Sequence, residues 1–219
     1  DSVATALFSR HAQAAALPVS PASPLYAESL AEQLSYSSQA VAEALTEAGW
    51  TRGDSGWVNG RQKLQLELVV STENADRAAA AQHLVNGLND MGISATLTKL
   101  EWDSYISALE KGNFDLYLGE VRLTADFDLT PLITAGGALN YGGYSDTETA
   151  QLLQTYRAAS GQGRDLSAQR LYERLAEEPP FAVLCFKNCS VLTQWSVLSD
   201  LTPTQQNLFY QFAQWKIES

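Results

Sequence analysis

The chain has 219 residues, 45% of them apolar, and carries 25 acidic against 14 basic side chains for a formal net charge of −11. That length and apolar content support a real core in one large domain or two small ones, while the acidic balance argues against nucleic acid, whose phosphates need clustered Lys and Arg. No stretch approaches the roughly 20 apolar residues of a membrane span, so no membrane insertion is expected of this segment. Residues 1–17 show no n-region and no long apolar h-region of a leader, and the start DSVATALFSRHAQ, without Met, reads as a cut or processed end.

Residues 1–17 carry helical spacing, with Val3, Leu7, Phe8, Ala12 and Ala15 on one face. The pattern ends at LPVSPASPLY, where Pro18, Pro21 and Pro24 enforce an extended connector. A second helix is predicted from Ser38 to Ala48, with Ser38 as N-cap, Val41, Ala44, Leu45 and Ala48 as its apolar face, and Gly49 closing it. Gly and Asp then punctuate two short turns around Trp57, before Leu64, Leu66, Leu68 and Val70 alternate with polar residues as a strand. The next helix spans about 74–91, capped by Asn74, with Asp76 in the positive first turn and Ala81, Leu84, Leu88 and Met91 inward. Gly92 ends it.

Ile93, Ala95 and Leu97 begin a second alternating strand, Trp102–Lys111 reads as a short helix closed by Gly112, and Phe114, Leu116 and Leu118 make a third strand. Strand–helix–strand–helix–strand with short connections is a βαβαβ unit, so the sheet is expected to be parallel with right-handed crossovers. Strands covered on both faces usually read as continuous apolar runs, whereas these three alternate. Helices mainly on one face, with the other thinly covered, are therefore expected.

Beyond the third strand, GEVRLTADFDLTPLI places Arg122, Asp126 and Asp128 in otherwise apolar surroundings. GGALNYGG reads as a flexible loop, and Ser145 to Glu148 as a capping box for a helix with Leu152, Leu153, Tyr156 and Ala159 inward. A further helix over about 166–177 turns Leu171, Tyr172 and Leu175 inward and stops at Pro179-Pro180. FAVLCF follows as a buried strand, and the tail LTPTQQNLFYQFAQWKIES has scattered aromatics without a strong period. No internal repeat or low-complexity tract occurs.

The residues that carry chemistry are few. His11 and His83 stand alone and no GxSxG elbow exists, so a Ser–His–acid triad has no support. No CxxC pair accompanies those histidines, so neither metal nor other cofactor is expected, and no GxGxxG or GxxxxGK[ST] opens a predicted helix. Cys185 and Cys189, four apart on a strand, would lie roughly 13 Å from each other, beyond disulfide reach; buried thiols are expected, and a disulfide would require helical geometry there. Asp126 and Asp128 flank Phe127 and would share a face of an extended segment, whereas glycosidase carboxylates face each other across the sugar. Ligands of open α/β sheets bind beyond the carboxyl ends of strands, which is where this segment begins.

Four stretches resemble extracellular solute-binding proteins of family 5, the peptide- and nickel-type receptors of ABC importers. YSSQAVAEALTEAGW resembles the family's helix ending in Ala-Gly-Trp, and GDSGWVNGRQKLQLELVVST its Gly-rich turn leading into a strand. AAAAQHLVNGLNDMGISATLTKLEWDSYISALEKGNFDLYLGEV resembles its helix–strand–helix–strand unit ending in Gly-x-Phe-Asp-Leu, and NYGGYSDTETAQLLQTYRAA its Asn-Tyr and Tyr-Ser segment. The match runs over most of 25–185. It implies an α/β fold, a βαβαβ-containing mixed sheet with flanking helices, as the second lobe of a type II periplasmic-binding-protein fold. Residues 1–185 would form ligand-binding lobe II, with the first lobe absent, and 186–219 a C-terminal segment returning towards or packing on the lobe.

The resemblance further implies a non-enzymatic receptor, extracellular or periplasmic, anchored as a lipoprotein through an absent N-terminus. Its partners would be a small peptide or other small solute and the permease subunits of the transporter. Peptide-binding members supply an Asp just after the Phe-Asp-Leu strand that binds the ligand's α-ammonium, and Asp126 is the matching acid. Arg122, Phe127, Asp128, Asn140 and Tyr141 are the accompanying ligand-facing candidates. Arg122 and Leu123 stand where the family has Gly and Trp, and Asp128-Leu129-Thr130-Pro131 replaces Asp-Pro. Arg122 is therefore expected either to pair with Asp126 or Asp128 or to recognise a ligand carboxylate. Two other readings stand beside this one: the same lobe as the sensing domain of a regulator, and a hydrolase using Asp126 and Asp128.

Overall fold

The computed structural model describes residues 4, 11–54, 56–188, 192–194, 197–204 and 207–217. The first elements are β1 (Ala12–Ala14), α1 (Glu28–Gln33), α2 (Ser38–Glu47), β2 (Thr51–Gly53), β3 (Gly56–Asn59) and β4 (Gln62–Lys63). Then come β5 (Gln65–Ser71), α3 (Ala75–Asp90), β6 (Ser94–Leu100), α4 (Trp102–Lys111), β7 (Leu116–Leu118) and α5 (Thr130–Ile133). The chain continues through α6 (Thr147–Ala158), α7 (Gln162–Glu177), β8 (Cys185–Lys187), β9 (Leu198–Ser199) and β10 (Lys216–Ile217).

β5, β6 and β7 form the expected parallel sheet, in the order β6–β5–β7. The covering of that sheet differs from expectation. Leu68 and Val70 of β5 pack with Ala81 and Val85 of α3, whereas Val69 packs with Tyr105 and Leu109 of α4. Both faces of the central strand are thus covered. The signal was the run Leu68-Val69-Val70 at its carboxyl end, which is continuous rather than alternating.

Asn74 caps α3 as predicted, its Oδ1 accepting from Arg77 N at 2.9 Å, and Gly112 closes α4 in the left-handed conformation. In α2 the cap is Ser37, one residue before the expected Ser38, with its hydroxyl accepting from Ala40 N. The residues around Trp57 form an antiparallel meander, β2–β3–β4, rather than turns alone. Trp57 is buried and its Nε1 donates to Met91 O at 2.9 Å. Gly56 makes the docking possible: its φ is +100°, and a Cβ there would stand 2.6 Å from Gly92 O.

The helical expectation for residues 1–17 fails at its C-terminal part. Ala12–Ala14 pair antiparallel with Cys185–Lys187, so a strand far away in sequence decides their conformation; Val3, Leu7 and Phe8 lie outside the described residues. Within FAVLCF only Cys185 onward is strand, and it is half-buried rather than buried. Cys185 is a free thiol whose pKa is raised by burial; Cys189 lies outside the described residues.

The largest core joins the Pro-rich connector (Leu17, Val19), the segment around α5 (Leu129, Ile133) and the α6–α7 pair (Leu153, Tyr156, Leu171, Tyr172). α7 begins at Gln162, four residues before the expected start, which puts Arg164 and Asp165 in its first turn. Tyr172 is fully buried, and its hydroxyl makes no well-formed hydrogen bond among the described residues, with the Tyr156 hydroxyl its polar neighbour. Burial raises its pKa far above the ordinary tyrosine value. Tyr172→Phe should therefore leave stability unchanged or raise it, by about 1 kcal/mol in urea denaturation, because it deletes a poorly paired polar group. A loss of that size would show that the hydroxyl has a partner.

The N-cap of α6 is Asp146, not Ser145 of the expected capping box. Asp146 Oδ2 accepts from Thr149 N at 2.8 Å and Thr149 Oγ1 at 2.7 Å, and Arg174 Nε lies 3.2 Å away. A carboxylate at this position satisfies an open N–H and meets the helix dipole, which a Ser does less well. The hydrogen bond from Arg174 first, then those from Thr149, hold the Asp146 carboxyl far below the ordinary range. Its contribution to stability is thus present above the unfolded carboxyl pKa of roughly 4 and lost as pH falls from there towards the folded value. Thermal melts from pH 6 to pH 2 should fall more steeply for the native chain than for Asp146→Asn, with the two curves converging at the acid end.

Candidate functional site

The segment after β7 leaves the carboxyl edge of the sheet and crosses to the α6–α7 pair, and it is tied at each step. Glu120 accepts from Arg77 of α3 at 3.3 Å and from Lys187 of β8 at 3.0 Å. Beside it Tyr105 OH donates to Leu118 O at 3.0 Å, and burial pushes the Tyr105 pKa up to about 12. Arg122 lies exposed on the irregular stretch 121–124.

Thr124 to Phe127 then form a turn, with Phe127 N donating to Thr124 O at 3.0 Å and Asp128 N to Thr124 Oγ1 at 3.1 Å. Phe127 has φ +53°, a left-handed conformation that costs a side-chain-bearing residue roughly 1–2 kcal/mol. What offsets this cost is tertiary. The Asp126 carbonyl accepts from Tyr156 OH of α6 at 2.5 Å and from Arg164 Nη2 of α7 at 3.0 Å. Arg164 also donates to Tyr156 OH at 3.1 Å and lies over the Tyr156 ring, 4.6 Å from its centroid. The Phe127 side chain packs on the main core and edge-on to Phe186, with ring centroids 6.2 Å apart.

The six candidates therefore separate. Asp126 is exposed, and its carboxylate charge acts on the Arg164 guanidinium. Asp128 Oδ1 accepts from Thr130 N at 3.0 Å and from Thr130 Oγ1, and its Oδ2 lies 3.8 Å from Arg157 Nε. Desolvation alone would raise the Asp128 carboxyl, but the Thr130 hydrogen bonds and Arg157 outweigh it and hold it below its ordinary value. Arg157 of α6 is an ion-pair partner of Asp128.

Asn140 holds its own loop: Nδ2 donates to Thr134 O and Tyr144 O, and Oδ1 accepts from Tyr144 N. Leu139 N donates to Pro131 O, and Gly137 packs so closely that a Cβ would lie 2.5 Å from Pro131 O. GGALNYGG is thus a stitched loop rather than the flexible one expected. Tyr141 is half-buried, edge-on to Tyr117 with centroids 6.1 Å apart, which joins this loop to the sheet.

Tyr156 and Arg164 are the site residues that sequence reasoning missed. Tyr156 fitted the inward stripe of a helix, and the late start assigned to α7 left Arg164 in a loop. Among the described residues no cluster of His, Cys, Asp or Glu could hold a metal ion. Cavities of about 220 Å³, between α2 and the Trp57 meander, and about 370 Å³, along α4, are not lined by Asp126. Asp126 stands on an exposed surface.

An open α/β body with this sheet order and an acid presented beyond the carboxyl end of a strand has the fold of type II periplasmic-binding proteins. The chain belongs to the bacterial extracellular solute-binding proteins of family 5, whose middle-region model matches residues 1–141. The oligopeptide-binding protein AppA of Bacillus subtilis, solved with a nonapeptide, superposes over 100% of this chain with TM-score 0.76 and 19% identity. NikZ of Campylobacter jejuni, solved with Ni(L-His), matches 98% of the chain with TM-score 0.73 and 18% identity. A periplasmic oligopeptide-binding protein of Thermotoga maritima with bound mannohexaose matches 95% with TM-score 0.78 and 18% identity. The chain spans less than half of each structure, 45%, 45% and 42% of their lengths. No curated protein matches it.

The two neighbouring acids should behave differently when truncated. Asp128→Ala loses two hydrogen bonds to Thr130 and should cost on the order of 1 kcal/mol in urea denaturation. Asp126→Ala should stay within about 0.5 kcal/mol of the native chain, as surface substitutions do.

Proposed function

We propose that this chain is one lobe of the ligand cleft of a solute-binding receptor of the oligopeptide type, serving an ABC importer, with Asp126 facing the ligand. The observation that carries the reading is the disposition of Asp126. Its main chain is clamped from behind by two helices while its carboxylate stands exposed beyond the carboxyl end of β7. Such a carboxylate gains most from a cationic group when a second wall excludes water. The ligand is a small peptide or another small solute bearing a positive group.

Residues 1–185 constitute the lobe in this reading, and 186–219 a segment returning towards or packing on it. Phe209 and Trp215 of that segment stack, with Phe212 edge-on to both, yet Phe209 and Phe212 remain 68% and 61% exposed. An exposed aromatic patch of this kind fits a surface that another body covers. The whole receptor would work outside the cytoplasmic membrane, anchored through a lipidated N-terminal segment, and hand its ligand to permease subunits without a chemical step. In a hydrolase using both acids, Asp128 could serve only as the ionised base or nucleophile. A carboxyl held ionised by Thr130 and Arg157 is poorly placed to act as a general acid near neutral pH.

Isothermal titration of the two-lobed receptor with a di- to hexapeptide library tests the proposal. Binding should fall roughly tenfold or more in Asp126→Ala, the scale of a lost charge-assisted hydrogen bond. No binding of any peptide would remove the peptide reading, and an unaltered affinity in the variant would remove the role of Asp126.

A further inference from the structure

We infer that Tyr156 and Arg164 are positioning residues for the ligand-facing acid: from α6 and α7 they fix the main chain at Asp126–Phe127 and so set where the Asp126 carboxylate stands. The inference rests on the ligand-facing reading of Asp126 proposed above. Its basis is geometric. The carbonyl that receives Tyr156 OH and Arg164 Nη2 belongs to the same residue as the exposed carboxylate. The next residue is held at φ +53°, and its N–H closes the turn onto Thr124 O. With the carbonyl direction and the following φ both fixed, the carboxylate retains only its two side-chain torsions.

Both donors bond the Asp126 carbonyl, and the Arg164 guanidinium also feels the charge of the Asp126 carboxylate without a hydrogen bond to it. Tyr156 is itself 1% exposed, and Arg164, stacked on its ring, orients the hydroxyl it also donates to. The helices that build the main core thereby place one polar atom of the cleft wall. Pre-organisation of this sort raises affinity by removing ordering cost on binding. Neighbouring anchors act on other residues: Arg157 on Asp128, and Arg77 with Lys187 on Glu120.

Tyr156→Phe separates the hydrogen bond from the packing, because it keeps the ring under Arg164. In the isotopically labelled chain, the Asp126 carbonyl ¹³C resonance should move upfield and the Phe127 amide should exchange roughly tenfold faster, the scale of one net hydrogen bond. Amides of β5 and α3 should keep their protection. Arg164→Met should act in the same direction and Arg164→Lys should recover part of the shift. An unchanged carbonyl resonance and exchange rate in both Tyr156→Phe and Arg164→Met would overturn the inference, and this arm needs no ligand.

The affinity arm uses tri-alanine and the two-lobed receptor. Tyr156→Phe should weaken binding, though by less than Asp126→Asn. Unaltered affinity in Tyr156→Phe beside a loss in Asp126→Asn overturns the positioning role alone. Unaltered affinity in Asp126→Asn, with the carbonyl shift present, overturns instead the ligand-facing reading.

Discussion

The hydrogen bonds from Tyr156 and Arg164 to the Asp126 carbonyl connect the two halves of this molecule. On one side lies a parallel sheet covered by α3 and α4; on the other lies the α6–α7 pair with its own larger core. The segment 119–133 passes from one to the other. A stretch that must both leave a sheet edge and enter a helical core cannot satisfy its backbone by regular pairing, so side chains from the helices supply the donors. The left-handed Phe127 is tolerated because its surroundings over-determine it: a carbonyl clamp on one side and an aromatic contact with Phe186 on the other.

The same arrangement gives many polar residues in this region a structural task. Asp128 holds the first turn of α5, Glu120 holds α3 and β8 to the end of β7, and Asn140 holds its loop. Each satisfies a structural need within a few ångströms. Asp126 is the acid whose main chain is held by the fold while its side chain stays exposed. Solved proteins of similar fold carry a nonapeptide, Ni(L-His) and mannohexaose, so the fold by itself does not specify a ligand.

Much of the architecture was legible from local pattern. Asn74 before α3, Gly112 after α4 and the strand–helix alternation between them are local devices, and they appear where the sequence places them. The cap of α6 moved only from Ser145 to Asp146, because both residues can cap and the carboxylate also meets Arg174. What failed were elements whose partner is distant. β1 is a strand because β8 pairs with it, and the Trp57 meander exists because it docks on the α3–β6 turn. Two-faced burial of β5 was written in Leu68-Val69-Val70 but masked by the alternation before it.

By itself, the sequence determined the βαβαβ order, the parallel sheet and the location of an acid beyond a strand end, since periodicity, caps and strand direction are local properties. It also carried the four stretches by which the family is recognised. Only the tertiary structure decided which carboxylate faces outward. Asp126 and Asp128 are indistinguishable as a pair of acids around a Phe, and they part company because Thr130 and Arg157 bind one carboxylate while Tyr156 and Arg164 hydrogen-bond the other's carbonyl. Those partners lie on helices whose approach to the segment depends on how the core packs, which no local spacing records.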